Sequence, residues 1–219
     1  MVLILTQKPQ WKNLMDKTKF LIFGGGGHSR VIVSILEKLD KEILGFFDRN
    51  SKSKDINKIA FLGDYDDKFQ PDVNIVIAIG DNNIREKLTK IIKHPYGKVI
   101  DQNSVISKDV KIGDGAQIMM SSTINIGTRI GNHCIINTNS SIDHDCKVED
   151  FVHVAPGVTV CGGVTIGKGT LIGANATILP NIKIGKNCLI GAGSIINKDV
   201  PNNSKVLGIK GKIVSNEKK

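Results

Sequence analysis

The residues of this sequence with the clearest capacity for chemistry are His144 and Asp145, in the segment Asp143-His144-Asp145. An imidazole with a pKa near neutrality is the usual proton acceptor in enzymes and contributes about 10²–10⁴ in rate. A carboxylate that accepts a hydrogen bond from the other ring nitrogen fixes the tautomer and raises the basicity of the imidazole. The pair therefore makes His144, supported by Asp145, a candidate general base, and an ordinary surface histidine is the alternative.

The sequence around this pair repeats every six residues. Aliphatic residues stand at each sixth position from Ile106 to Ile190, and a small or β-branched side chain follows four residues after most of them. An α-helix needs apolar residues at spacings of three and four, and a lone strand needs alternation. A fixed period of six predicts a triangular prism in which each hexad is one short strand and a turn. Positions 106–195 hold 90 residues, which is 15 hexads or five coils of 18 residues.

The position of a residue in its hexad predicts whether its side chain faces the interior. Three cysteines fall on the inward small position, where we expect buried thiols rather than ligands or bridges: Cys134, Cys146 and Cys188. His144 and His153 fall on other positions, so both rings should be available on the outside of the prism. A zinc site does not fit, because His133, His144 and His153 are 11 and 9 residues apart against 18 per coil. We therefore predict no metal.

Residues 19–101 show a different pattern, in which short apolar runs alternate with helical ones. Strands are predicted at 20–23, 43–47 and 73–79, with helices after the first and third. Asn82 or Asn83 is expected to cap the second helix. Its apolar stripe would be Ile84, Leu88, Ile91 and Ile92. Strands alternating with helices predict a small parallel sheet.

Four glycines, Gly24–Gly27, stand between the first strand and the first helix. Glycines let a ligand approach the main chain, and helix N-terminal amides favour anions, so this is a place for a phosphate or ribose. The dinucleotide fingerprint G-x-G-x-x-G is incomplete, because Ser29 stands where the third glycine belongs, although Asp48 follows at nearly the expected spacing. A dehydrogenase and a tight turn without a ligand are the alternatives for this segment.

The composition favours anionic partners. The net charge is +9 and the sequence pI is about 9.4, but aromatic residues make up only 5% and no basic run is interleaved with them. A stacking surface for nucleic acid is therefore not expected, whereas nucleotide or coenzyme A phosphates would suit the charge. The reduced cysteines favour a cytoplasmic protein. No apolar run approaches the roughly 20 residues of a membrane span, and residues 1–18 are an extension of no inferred purpose.

The hexads resemble those of the hexapeptide-repeat acyltransferases. Together with Gly24–His28, Phe47-Asp48 and the segment from Ile79 to Arg85, they resemble the NeuD/PglD group of bacterial acetyltransferases, which act on nucleotide-linked amino sugars or on sialic acid. The resemblance implies an α/β, Rossmann-like small parallel sheet followed by a left-handed parallel β-helix. The expected divisions are an extension (1–18), a nucleotide-sugar-binding domain (19–101), an acetyl-CoA domain (102–201) and a C-terminal loop and tail (202–219).

The resemblance also implies the binding residues. Residues expected to bind the nucleotide-linked sugar are Gly26, Gly27, His28, Asp48, Arg49, Gly80, Asn82 and Arg85. Residues expected to border acetyl-CoA are His153, Gly162, Ala174 and Ala192. Members of the group are trimers, so a homotrimer with acetyl-CoA in a groove between subunits is expected. The segment from Leu207 to Lys212 resembles a closing loop that borders coenzyme A.

The resulting hypothesis is an acetyl-CoA-dependent N-acetyltransferase of a UDP- or dTDP-linked 4-amino-4,6-dideoxy sugar in bacterial glycan or O-antigen synthesis. An O-acetyltransferase of sialic acid or polysaccharide is the second hypothesis. A third, from another class, is a non-catalytic protein that binds sugar nucleotides. Nothing in the sequence chooses between uracil and thymine.

Overall fold

The computed structural model describes residues 19–49, 56 and 58–208. The extension 1–18 and the segment from residue 209 onward, which includes most of the closing loop, lie outside the described residues. Within those residues, no helix is long and apolar enough to cross a membrane.

In its described residues, 19–49, 56 and 58–101, the first domain is a three-stranded parallel sheet with two helices. Its strands, in the order β2-β1-β3 across the sheet, are β1 (Lys19–Phe23), β2 (Glu42–Phe47) and β3 (Asn74–Ile77). The helices are α1 (Gly27–Lys38) and α2 (Asn82–Thr89). This confirms the predicted small parallel sheet, with a shorter third strand than the pattern indicated.

The start of α2 differs from the prediction. Asp81, not Asn82 or Asn83, is the N-cap, and its side chain accepts a hydrogen bond from the amide of Ile84 at 2.9 Å. The predicted apolar stripe is only half correct, because Leu88 and Ile92 are buried while Ile84 and Ile91 are each 47% exposed. The prism, not the sheet alone, holds this helix in place.

The second domain is a left-handed parallel β-helix of about six turns, built from two-residue strands on three faces. The docked face, against which the first domain packs, consists of β4 (Val99–Ile100), β7 (Gln117–Ile118), β10 (Ile135–Ile136), β13 (His153–Val154), β16 (Leu171–Ile172), β19 (Leu189–Ile190) and β21 (Lys205–Val206). Isoleucine and valine side chains stack inside from coil to coil, and burial of each contributes roughly 1.5–3 kcal/mol.

The other two faces differ in the side chains they turn outward. The threonine face consists of β5 (Val105–Ile106), β8 (Thr123–Ile124), β11 (Ser141–Ile142), β14 (Thr159–Val160), β17 (Thr177–Ile178) and β20 (Ile195–Ile196). The basic face consists of β6 (Lys111–Ile112), β9 (Arg129–Ile130), β12 (Lys147–Val148), β15 (Thr165–Ile166) and β18 (Lys183–Ile184). The corner between these two faces, which includes turns 125–128, 143–146 and 161–164, lies opposite the docked face and is called the far corner below.

The solenoid is longer than the hexads indicated. β4 pairs with β7 and β21 pairs with β19, so coils are present on both sides of the predicted limits of 102 and 201. Ile100 of β4 keeps the six-residue phase, 18 residues before its partner Ile118, whereas Val206 of β21 lies only 16 residues after its partner Ile190 and so falls outside the pattern.

The inward cysteines are buried as predicted. Each thiol also donates to a main-chain carbonyl of the next coil: Cys134 to Glu149, Cys146 to Cys161 and Cys188 to Pro201, at 3.0–3.2 Å. Burial raises the pKa of the Cys134 thiol to about 12. These cysteines therefore fill the interior and connect neighbouring coils, and the Cys134 thiol remains protonated at neutral pH.

The third residue of most turns takes a left-handed conformation, and most of these positions hold glycine or asparagine. His133 and Phe151 are exceptions, with φ of 54° and 59°. Bulky residues rarely adopt this conformation, so the structure must compensate for it. Their rings stack at 5.2 Å, and Tyr96 of the segment after α2 packs edge-on against His133 at 4.4 Å. The strain is thus located where the first domain docks.

Candidate active site

His144 lies in the far-corner turn between β11 and β12, with a side chain that is 56% exposed. Its Nδ1 is 2.9 Å from Oδ2 of Asp145. Because the carboxylate can only accept, Nδ1 carries the proton and Nε2 is left as a proton acceptor. The hydrogen bond to Asp145, followed by the charge of Asp143, raises the pKa of His144 above its ordinary value.

Glycines in the two neighbouring coils make room for this pair. A Cβ on Gly162 would lie 2.5 Å from Nε2 of His144, and a Cβ on Gly127 would collide with Oδ1 of Asp145. The amide of Asp145 donates to the carbonyl of Ile126 at 2.9 Å, which holds the turn in its left-handed conformation. Gly162, predicted from the resemblance to border acetyl-CoA, therefore also seats the imidazole.

The glycine loop is open toward the N-terminus of α1. Gly26 is the N-cap of that helix, no side chain caps its first turn, and both Gly26 and Gly27 are exposed. Unsatisfied amides at a helix N-terminus suit a phosphate. The carboxylate of Asp48 accepts from the amide of Gly25 at 2.6 Å, and Arg49 follows it on the surface. The predicted residues of this loop and of the end of β2 are thus neighbours.

His28 contacts the prism directly. Its Nε2 is 2.8 Å from Oε1 of Gln117, whose amide nitrogen donates to the carbonyl of Ile77 at 2.9 Å. That second bond fixes the orientation of the Gln117 amide, so His28 donates from Nε2. Burial lowers the pKa of His28, and the ring is neutral at pH 7.

His153 lies on the docked face, where both of its ring nitrogens have partners. Nδ1 donates to the carbonyl of Gly80 at 3.2 Å, and Nε2 accepts from the Asn137 amide at 3.1 Å. The amide of Thr138 donates to Oδ1 of Asn137 and so fixes the orientation of that side chain. Burial, with the charge of Arg85, lowers the pKa of His153 to about 4. At neutral pH this ring is therefore a structural link rather than a base.

Arg85 and Asn82 join the two domains. The guanidinium of Arg85 is fully buried and donates to five oxygens: the carbonyls of Ile79, Gly80, His133 and Phe151 and the side chain of Asn82. Asn82 in turn donates to the carbonyl of Gly169 at 3.0 Å. With every N–H engaged, Arg85 has no donor left for a ligand. Its action on the cleft is indirect, because it positions the Gly80 loop.

The predicted site residues form two groups in one chain. Gly80, His28, His153 and the glycine loop lie on the docked-face side, while His144, Asp145 and Gly162 lie at the far corner. Ala174 and Ala192 follow strands of the docked face, on its corner with the threonine face. A nucleotide at the glycine loop and a base at the far corner of the same prism do not face each other.

Four polar side chains that support the site were missed from the sequence. Asn137 and Gln117 hold His153 and His28, whereas Asn125 and Asp143 hold the turn of His144. Asn125, Asn137 and Asp143 share one trait, a polar side chain directly after an inward aliphatic residue. That position could have indicated them. Among the described residues, no group of three or more His, Cys, Asp or Glu side chains is arranged to hold a metal ion.

Comparison with known proteins relates both domains to one enzyme family. Residues 19–92 match the family described as the PglD N-terminal domain, and residues 163–198 match the bacterial transferase hexapeptide, six repeats. The GDP-perosamine N-acetyltransferase of Escherichia coli is 31% identical over 175 residues, which cover 72% of this chain and 76% of that protein. The chain belongs to the NeuD/PglD-type sugar acetyltransferases.

Other members of the family share the architecture. A UDP-N-acetylbacillosamine N-acetyltransferase of Bacillus subtilis is 31% identical over 107 residues, 45% of this chain and 50% of that protein. One solved structure is a histidine variant of the perosamine N-acetyltransferase of Caulobacter crescentus in complex with CoA and GDP-perosamine. It is 27% identical to this chain and has a TM-score of 0.82. The match covers 90% of this chain and 97% of that one. The acetyltransferase domain of PglB from Neisseria gonorrhoeae is 26% identical, with a TM-score of 0.81 over 87% and 97%.

Proposed function

We propose that this chain is an acetyl-CoA-dependent N-acetyltransferase whose acceptor is the amino group of a nucleotide-linked 4-amino-4,6-dideoxy sugar. The observation that carries the proposal is the exposed His144 imidazole, held by Asp145 with Nε2 free. The N-acetyltransferase relatives support the reaction class.

The pair supplies the proton chemistry that acetyl transfer from a thioester needs. His144 Nε2 accepts a proton from the amine as the nitrogen–carbon bond forms. The imidazolium gives that proton to the sulfur as the carbon–sulfur bond breaks, which releases the thiol. Asp145 keeps the proton on Nδ1 and stabilises the imidazolium. Only the deprotonated imidazole of His144 can accept a proton, so turnover should rise as the pH increases through the pKa of this residue. Because that pKa is raised, the rise should be centred above the ordinary histidine value of about 6.5.

A homotrimer with shared sites is part of the proposal. His153, Ala174 and Ala192 lie on or beside the docked face, whereas Gly162 lies at the far corner, so one coenzyme can border all four only between two chains. The threonine face carries no charged side chain, and Val105 and Ile195 on it are 65% and 71% exposed. An uncharged face with exposed aliphatic residues suits contact with a second copy.

The nucleotide is the least constrained part of the proposal. The uncapped first turn of α1 suits a diphosphate, which UDP, dTDP and GDP share. GDP joins UDP and dTDP as a candidate because one relative, 31% identical over 175 residues, is a GDP-perosamine N-acetyltransferase.

The test is release of free thiol from acetyl-CoA in the presence of GDP-, UDP- and dTDP-linked amino sugars, with free sialic acid and polysaccharide as separate arms. We expect turnover with one nucleotide amino sugar and a loss of about 10²–10⁴-fold in His144→Ala. If turnover occurs only with sialic acid or polysaccharide, the chain is an O-acetyltransferase and the proposal of N-acetylation is wrong. Binding of a sugar nucleotide without any thiol release would indicate a non-catalytic protein.

A further inference from the structure

The turn that carries His144 contains a second carboxylate, Asp143. Its Oδ1 accepts a hydrogen bond from the amide of His144 at 2.8 Å and another from the side chain of Asn125, one coil earlier, also at 2.8 Å. The bond from Asn125, followed by that from the His144 amide, lowers the pKa of Asp143, so the carboxylate is charged at neutral pH.

The preceding coil also holds the far end of this turn. Thr128 donates from its hydroxyl to the carbonyl of Asp143 at 2.7 Å and accepts from the amide of Cys146 at 3.0 Å. The main chain on both sides of His144 is therefore fixed by side chains 15–18 residues earlier. The imidazole itself is exposed, so its direction depends on this main chain and on Asp145.

A carboxylate is unusual at this position of the far corner. The same position in the other coils holds Ser107, Asn125, Cys161, Leu179 and Asn197. A neutral side chain can make the same local bond, because Asn137 accepts from the Thr138 amide at 2.8 Å in the turn after β10. Capping alone therefore does not require an acid next to the acidic Asp145, and two neighbouring like charges oppose folding.

We propose that Asp143 is a positioning residue for His144: its carboxylate, held by Asn125, fixes the main chain of the turn and places a second negative charge beside the imidazole. This inference rests on the proposed function of His144 as the base. The groups that face the ring are Asp143 and Asp145 on its own turn, uncharged Asn125 and Ile126 in the coil before, and Cys161 and Gly162 in the coil after.

The test uses Asp143→Asn, which keeps the capping oxygen and removes the charge. We expect the acid limb of the kcat profile to move to lower pH by about half a unit, with a plateau lowered about two- to fivefold. Asp143→Ala removes the bond as well, and its plateau should fall about tenfold or more. Asp109→Asn is the matched control, because Asp109 accepts from the amide of Gly127 at the same corner, away from His144.

Titration of the His144 imidazole by NMR gives a readout that does not depend on turnover. A lower titration midpoint in Asp143→Asn than in Asp109→Asn and the parent supports the role of Asp143 even if no sugar of the panel is acetylated. Identical midpoints and identical kcat profiles in the three proteins overturn it. So does an Asp143→Asn variant as inactive as His144→Ala, because the charge would then be essential to the reaction itself.

Discussion

The imidazole of His144 and the carboxylate of Asp145 have room because the neighbouring coils carry glycines at the positions next to them. Gly162 lies under the ring and Gly127 under the carboxylate of Asp145, one in the coil after and one in the coil before. Asn125 and Asp143 then fix the main chain between them. A base on a prism corner is thus oriented by its neighbours along the axis, not by burial.

Replacement of Gly162 by alanine should displace the imidazole and little else. Its φ lies outside the left-handed region, so the main chain accepts a side chain, but the new Cβ would overlap the ring at Nε2 and Cε1. A misplacement of about 1 Å can cost about 100-fold in rate, and we expect kcat to fall 10–100-fold with the melting temperature unchanged.

A double-mutant cycle supplies the control for Gly162→Ala. In a His144→Ala background the residual rate should be insensitive to Gly162→Ala, because the ring it displaces is gone. An equal loss in both backgrounds would show that Gly162 acts on acetyl-CoA and not on the base.

Among the elements, α2 connects the first domain to the prism. Arg85 binds the carbonyls of His133 and Phe151, and Asn82 binds that of Gly169, so three successive coils are held at the same corner. Burial lowers the pKa of Arg85 only to about 10, and the guanidinium stays charged. His153, through the carbonyl of Gly80, adds a link on the docked face.

Arg85→Lys should weaken the attachment of the first domain. A lysine keeps the charge but has one nitrogen, so several buried carbonyls lose their donors, and we expect about 2–4 kcal/mol lower stability to denaturant. Hydrogen exchange should increase around residues 79–89. Glu86→Gln is the control, since it breaks only the exposed Glu86–Lys168 pair across the same contact, worth less than about 1 kcal/mol. Equal losses in the two variants would contradict the assignment.

At the scale of the whole molecule, the two groups of proposed site residues lie on different sides of the prism. The glycine loop and His153 are on the docked-face side, and the proposed base is at the far corner, so the proposed site would be completed only by two copies of the chain. The interface would be heterologous, with different surfaces of each subunit in contact, and such an interface forms a ring when the rotation between subunits closes.

Mixed assemblies of two inactive variants test this arrangement. His144→Ala removes the base, and Gly27→Trp fills the mouth of the glycine loop, where no atom lies within 4 Å of an added Cβ. If sites are shared, trimers formed at random from equal amounts of the two should regain about a quarter of parental activity. Activity that stays at background after co-expression, with mixed trimers demonstrated by dual tags, would place the whole site within one chain.

The sequence predicted the features that depend on local spacing. The hexads predicted the prism and the inward cysteines, because the aliphatic residues that stack in the interior recur at every sixth position. Hexad position also indicated that His144 is outward. The structure extends the solenoid past the expected limits at both ends: Ile100 of β4 keeps the six-residue phase that was counted only from Ile106, whereas Val206 of β21 is out of that phase.

Features that depend on docking could not be obtained from the sequence. Asn82 and Arg85 were expected to bind a ligand, but their side chains are engaged by carbonyls of the prism, and Asp81 caps the helix instead. Which face of the prism the first domain covers has no local signature. The separation of the glycine loop from His144 therefore came only with the structure.

The carbonyls of His133, Phe151 and Gly169 fix the position of the first domain along the axis of the prism. They belong to three successive coils, each about 4.8 Å further along that axis than the one before, and α2 binds all three. His144 comes between His133 and Phe151 along the winding. In the proposed trimer, subunits side by side about a threefold axis would therefore bring the Gly80 loop, which His153 binds half a coil after His144, to nearly the height of a neighbour's imidazole.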